Sequence, residues 1–186
     1  FAIADRVRAE AAEAVALLRL QGADLSIVTG DMPDTAAAVA AAIGVGTVKA
    51  HVSPQGKAAE VARLKGEGRK VLMVGDGIND APALVEASVG AAMGRATDIA
   101  LESADIVILR PDLRLVPDAL RLARRTYLII RQNLFWAFFY NIAVLPMAIA
   151  GLLHPIVAAG AMAFSSLSVV GNSLRARVPS CGAPTC

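Results

Sequence analysis

From Gln132 to Leu174 the chain has no aspartate, glutamate, lysine or arginine, and the only titratable groups there are Tyr140 and His154. A water-soluble domain spreads charge over its surface, so this gap excludes a single uniform soluble fold for the whole length. Cysteine is almost missing too. Cys181 and Cys186 both fall in the last six residues, which excludes a disulfide framework and leaves no sign of an oxidising compartment. Neither charge sign dominates. Eighteen Lys and Arg against 16 Asp and Glu leave a net charge of +2, and no basic patch interleaves with aromatics, so nucleic acid is excluded as a partner. Ile3 to Leu20 is an amphipathic pattern with acids and arginines, which is not the pattern of a signal peptide. The chain starts at Phe1 without Met and is expected to be the tail of something longer.

What is present divides in two. Hydrophobic residues make up 56% of the 186. The mean hydropathy of +0.57 is high for a soluble domain, and the excess lies in the last third. Before it, up to about Leu120, short apolar runs alternate with helical patterns. A helix is expected over Asp5 to Leu20, stopped by Gly22. A strand over Asp24 to Val28 follows, then an Ala-rich helix over Asp34 to Ile43, ended by Gly44. A strand over Val48 to Val52, a helix over Pro54 to Leu64 and a strand over Val71 to Val74 come next. A helix from about Ala81 to Glu86 and apolar runs at Val89 to Ala92 and Ile106 to Leu109 complete the series. Such alternation predicts an α/β fold, a parallel sheet with helices on both faces.

In such a sheet the strand ends share one edge, where functional groups gather. Thr29-Gly30-Asp31 follows one strand. Gly75-Asp76-Gly77-Ile78-Asn79-Asp80-Ala81-Pro82-Ala83-Leu84 follows another. Asp76 and Asp80, with Asn79 between, supply the hard oxygen ligands and hydrogen-bonding groups that Mg²⁺ and a phosphoryl group need. Lys57, on a helix, is a cation for the same place, where it would neutralise phosphate charge. Taken singly, Thr-Gly-Asp reads equally as an ordinary turn, and Lys57 reads more readily as a solvated surface lysine than as a site residue. The ten-residue string is more specific, because a tight turn needs no Asn-Asp-Ala-Pro after it.

Together, Thr29-Gly30-Asp31, Lys57, the Gly75 to Pro82 string and Val89-Gly90-Ala91-Ala92-Met93-Gly94 resemble the phosphorylation domain of P-type ATPases, which has a haloacid-dehalogenase-like fold. The resemblance implies a partial Rossmannoid parallel sheet over 1–120, with ATP and Mg²⁺ as cofactors. It makes Asp76 a Mg²⁺ ligand and has Asn79 and Asp80 fix the phosphate with its water or metal. Thr29 and Gly30 would bind phosphoryl oxygens, Asp31 would sit near the nucleotide or metal side, and Lys57 would balance the aspartyl phosphate. The family's nucleophile, the Asp of Asp-Lys-Thr-Gly, is not found in this sequence. The chain is therefore expected to be a C-terminal part of a pump, inactive alone, with the pump's upstream domains as partners.

Two uncharged stretches, 134–153 and 155–174, each reach the roughly 20 residues a membrane helix needs. Only Leu153-His154-Pro155 separates them, which predicts a transmembrane hairpin within 121–177, followed by a cytosolic tail over 178–186. Arg121, Arg124, Arg125 and Arg131 precede the hairpin, and Arg175 and Arg177 follow it. Both ends are then cytoplasmic, in a multi-pass protein of the cell (inner) membrane surrounded by lipid. Polar residues inside are few. Tyr140-Asn141 and Met162-Ala163-Phe164-Ser165-Ser166 resemble the last two helices of the copper branch of heavy-metal P-type ATPases. That resemblance implies Cu(I) as transported ion, held by Tyr140, Asn141, Met162, Ser165 and Ser166, with a copper chaperone among the partners. A thioether suits Cu(I) and suits hard cations poorly. The alternatives are a membrane-anchored phosphatase of the same superfamily and an inactive half-pump that binds a partner chain.

Overall fold

The computed structural model describes residues 7–75, 79–94, 104–151 and 155–175. The chain divides into two compact units, Phe1–Pro117 and Asp118–Cys186.

The first unit contains helices α1 (Ala9–Leu20), α2 (Pro33–Ile43), α3 (Pro54–Gly66) and α4 (Ala81–Glu86). Its strands are β1 (Ser26–Val28), β2 (Thr47–Lys49), β3 (Leu72–Gly75), β4 (Val89–Met93) and β5 (Ile106–Ile108). Every pairing is parallel, as alternating strands and helices require. The strands form two sheets rather than the single one expected. β1 pairs with β2 in the register Ser26 to Thr47, and β3, β4 and β5 lie in that order with Leu72 opposite Val89 and Ala91 opposite Ile106. Among the described residues β1 and β3 thus have one paired edge each.

Small side chains build the interior. Ala11 and Ala14 of α1, Ala36 and Ala40 of α2, and Ala91 and Ala92 of β4 are buried, so backbones approach closely. Leu84 of α4 is 1% exposed and packs with Ala92, against Met73 and Ala104. Among the described residues it is the large aliphatic side chain that fills this layer most completely. Helix ends follow the sequence. Ser53 caps α3, accepting from the Gly56 N–H at 3.1 Å, with Pro54 in the first turn, where its missing N–H costs nothing. α2 stops at Gly44, which takes φ 77°. The N–H groups of Gly44 and Val45 bond back to Ala41 and Ala40, and the Arg19 guanidinium donates to the Gly44 carbonyl.

The second unit is helical. Helix α5 (Leu115–Ile149, 35 residues) carries the chain out of the first unit, and helix α6 (Pro155–Leu174, 20 residues) follows. At 1.5 Å per residue α5 is about 52 Å long, more than the ~30 Å hydrocarbon core, so part of it extends beyond one. Among the described residues one helix, Leu115–Pro146, is long and apolar enough to cross a membrane. Large apolar side chains stay exposed over most of the unit, among them Phe135, Phe138, Ile142, Ile149, Ile156 and Leu167.

Candidate functional site

The residues expected to meet a phosphoryl group follow the ends of the parallel strands. β1 ends at Val28, and the next residues, Thr29 to Asp31, form a tight polar turn. The Thr29 hydroxyl donates to Asp31 Oδ2 at 2.7 Å and accepts from the Asp31 N–H at 3.2 Å. The turn after β2 is stitched onto it. The His51 N–H donates to the Asp31 carbonyl and the Val52 N–H to the Thr29 carbonyl, both at 2.9 Å. His51 adopts φ 55°, a left-handed conformation that a non-glycine residue takes at a cost. From this turn the chain enters α3, and Lys57 lies in its first turns.

Lys57 Nζ meets Asp80 Oδ1 at 2.6 Å, with both side chains mostly buried at 15% and 13% accessibility. Asp80 precedes α4, and its carbonyl accepts from the Ala83 and Leu84 N–H groups at 2.9 Å. Its carboxylate makes no cap bond to that helix. The carboxylate is turned toward Lys57 instead. Gly75, at the end of β3, makes room for it: a Cβ there would lie 2.5 Å from Asp80 Oδ2. Thus the structure joins Thr29, Gly30 and Asp31 to the α3 entrance, and Lys57 to Asp80. Asn79 is exposed beside them. Asp76 lies outside the described residues, as do Cys181 and Cys186.

These residues carry hydroxyl, amide and carboxylate oxygens and one ammonium, the last paired with Asp80. That set fits a phosphoryl group with a hard cation. Of the residues present, Thr29, Asn79 and the Lys57 ammonium suit the phosphoryl oxygens, and Asp76 and Asp31 suit Mg²⁺. On the outer face of α3, Glu60 receives Arg63 at 2.7 Å and Lys49 at 2.6 Å. The hydrogen bonds from Arg63, then from Lys49, hold its carboxyl down to about 2.

Among the described residues, the half-buried positions of α5 from Gln132 onward are Asn133, Ala137, Tyr140 and Val144, and those of α6 are Ser165, Ser168, Val169 and Asn172. The spacing of three and four is that of two helices sharing a seam. Tyr140 lines a groove with Gln132, Trp136, Ser168, Gly171, Asn172 and Arg175. Asn141 turns its amide to its own helix, donating to the Ala137 carbonyl at 2.8 Å, and Ser168 donates to the Ser165 carbonyl at 2.8 Å. Met162 is 73% exposed and Ser166 is exposed, so neither is in the seam. Tyr140 and Ser165 are therefore on the facing stripes, and Asn141, Met162 and Ser166 lie outside them.

Sequence reasoning singled out neither Asn133 nor Gln132, which the structure joins to α6. Asn172 Nδ2 donates to Asn133 Oδ1 at 2.9 Å and to Gln132 Oε1 at 3.2 Å, and Asn133 Nδ2 donates to Ser173 Oγ at 2.9 Å. The available signal was a pair of amides at the border of an apolar run.

Comparison with known proteins agrees with this geometry. Residues 1–88 match the family model described as a haloacid dehalogenase-like hydrolase. A cation-transporting P-type ATPase B of Mycobacterium tuberculosis is 54% identical over 175 residues, 94% of this chain and 23% of that protein. A copper-exporting P-type ATPase of Staphylococcus aureus is 52% identical over 174 residues, 94% of this chain and 22% of that protein. The crystal structure of a zinc-transporting PIB-type ATPase in its E2.Pi state matches with a TM-score of 0.85 at 38% identity, covering 92% of this chain and 28% of that one. The catalytic domain of the CPx-ATPase CopB-B matches with a TM-score of 0.56 at 32% identity, over 60% of this chain and 44% of that one. The chain spans less than a quarter of the curated relatives' length. Over that span, with residues 1–88 matching the haloacid dehalogenase-like hydrolase model and an apolar helical second unit, the chain is homologous to the corresponding part of cation-transporting P-type ATPases.

Proposed function

We propose that this chain is part of an ATP-driven heavy-metal pump whose transported ion is Cu(I). The observation that carries the ion is the composition of the two facing helices. Between Gln132 and Leu174 there is no charged side chain, yet Tyr140, Asn141, Met162, Ser165 and Ser166 are present. A monovalent soft cation is well served by a thioether with neutral oxygen and amide groups. A divalent cation in a membrane requires anionic ligands to offset its desolvation. The zinc reading is supported by the likeness to a solved zinc-transporting relative. The missing carboxylate counts against it.

In the first unit the residues bind and position. Thr29 and Asn79 orient phosphoryl oxygens, and Asp31 holds the Thr29 hydroxyl in place. Lys57, anchored on Asp80, offers a fixed positive charge against which phosphate charge develops. Bound Mg²⁺ supplies further charge neutralisation to the transferring phosphoryl group. The nucleophilic Asp comes from the pump's upstream part, and the open edges of β1 and β3 are a fitting place for the strand that bears it. Phosphorylation in the soluble part would bias the metal site between two states, an alternating access reached through a coupling free energy. The soluble unit would face the cytoplasm, and the donor of the ion would be a copper chaperone.

Equilibrium metal binding to the full-length parent in detergent tests the ion. Cu(I) bound at the membrane site, weakened at least tenfold by Met162→Ala while Zn²⁺ fails to compete, is the expected result. Zn²⁺ competing on equal terms would overturn the copper assignment.

A further inference from the structure

Three amides and a hydroxyl tie α5 to α6 at one level. Asn172 spends both of its amide hydrogens there, on Asn133 and on Gln132, and Asn133 spends one on Ser173. The Arg125 guanidinium adds a bond at 2.6 Å to the Arg175 carbonyl, where α6 ends and its last carbonyls lack helical partners. The other half-buried positions further into the hairpin, among the described residues, are Ala137, Tyr140, Val144, Ser165, Ser168 and Val169, which are apolar, small or hydroxylic. The pairing is selective for register. A slip of one turn in one direction sets Asn172 opposite Ile129 and Gln132 opposite Val169, and of the clasp amides on α5 only Asn133 then meets a polar residue, Ser168. In the other direction it sets Asn172 opposite Ala137. Each alternative strands amide groups in apolar surroundings, where an unpaired amide is costly.

The register has a consequence two turns further into the hairpin. Seven residues on from Asn133 is Tyr140, and seven back from Asn172 and Ser173 are Ser165 and Ser166. Seven residues return a helix to nearly the same face. The half-buried positions agree, since Tyr140 and Ser165 lie on the two facing stripes. We infer that Gln132, Asn133, Asn172 and Ser173 form a carboxamide clasp that positions Tyr140 against Ser165. Its effect on the ion rests on the pump reading above. The clasp residues hold no ion; they set the distance and level of groups that do.

The test uses the full-length parent pump in nanodiscs, with spin labels at Leu134 and Val170 to report the separation of α5 and α6. The Asn172→Leu substitution keeps the branching at Cγ and the number of side-chain heavy atoms and removes both donors. It is expected to broaden the Leu134–Val170 distance distribution. It should also raise the Cu(I) concentration for half-maximal ATPase stimulation by about threefold or more, the scale of an interhelical hydrogen bond, with the maximal rate held within about twofold. The paired exchange Asn133→Ser with Ser173→Asn rebuilds one bond in reverse and should return both readouts toward wild type, which a merely destabilised helix would not do. An unchanged distance distribution in Asn172→Leu overturns the clasp, whatever the metal data show. A broadened distribution with unchanged half-maximal Cu(I) overturns its positioning role. Absence of metal stimulation in the wild type would sink the pump reading, while the distances still decide the clasp.

Discussion

The two units use polarity in opposite ways. In the first, ammonium, guanidinium and carboxylate groups pair at the surface and at one mostly buried point, Lys57 to Asp80, while alanines fill the interior. In the second, the seam carries amides and hydroxyls, and large apolar side chains face outward. Water explains the contrast. Where it surrounds the fold, charge is cheap outside and apolar bulk belongs inside. Where lipid or neighbouring helices do, the backbone is satisfied within each helix, and only neutral polar groups can tie helices together without a large desolvation cost. On the proposed reading the site chemistry would divide along the same line: hard oxygen and one cation for phosphate, thioether and neutral donors for a soft ion.

The sharpest way to break the comparison is to change the interior of each unit. Leu84→Ala leaves a cavity in the layer that this side chain fills, and should cost about 3 kcal/mol. Hydrogen exchange of the β3 and β4 amides in the intact protein would register it as lost protection. In the second unit Val169→Asp puts an unpaired carboxylate in the seam and should cost about 3 kcal/mol of membrane insertion. The same change at Val85, 67% exposed in the first unit, should stay within about 0.5 kcal/mol. A glycosylation-mapped insertion assay for Val169→Asp and thermal unfolding for Val85→Asp make the two numbers comparable.

A smaller effect is expected from the ion pair. Lys57→Met strands the Asp80 carboxylate and should lower stability by about 2 kcal/mol, below the fully buried range because water still reaches the pair. Adding Asp80→Leu should recover part of that loss, read from α3 and α4 amide exchange. If the double variant is no better than the single one, the pair is not a coupled unit.

The smallest expected effect is a pH dependence. Glu60 has its carboxyl lowered from 4.5 to about 2 by Arg63 and Lys49. A lowered folded value means the unfolded chain binds the proton more readily. The contribution is therefore complete above about pH 4.5 and disappears as pH falls from 4.5 through about 2. Glu60→Gln should flatten that limb of the α3 exchange profile, and an unchanged profile would show that the cluster contributes nothing measurable.

How much of this was legible in the sequence depended on whether the signal was local. Pro54 marked the start of α3, and Ala81 to Glu86 coincides with α4, because prolines act within a few residues. Gly44 marked the end of α2 for the same reason. The split into two sheets was not legible, since periodicity records which residues are apolar and not which strands pair. The hydropathy gap began at Leu134, whereas α5 begins at Leu115. Asp118, Arg121 and Arg125 are polar but helical, and hydropathy alone does not separate a membrane span from the helix that leads into it. The candidate site was legible residue by residue through its motifs. The partner of Asp80 was not, nor the left-handed His51, whose conformation has no glycine to announce it.

The central claim is that a phosphoryl site in one unit and a soft-ion site in the other belong to one pump. ATP hydrolysis by the full-length parent, measured side by side with Cu(I), Zn²⁺ and Cd²⁺ for wild type, Asp76→Ala and Met162→Ala, tests it most directly. Stimulation by Cu(I) alone, lost in both variants, is the predicted result. Stimulation by Zn²⁺, or Cu(I) stimulation indifferent to Met162, would contradict it.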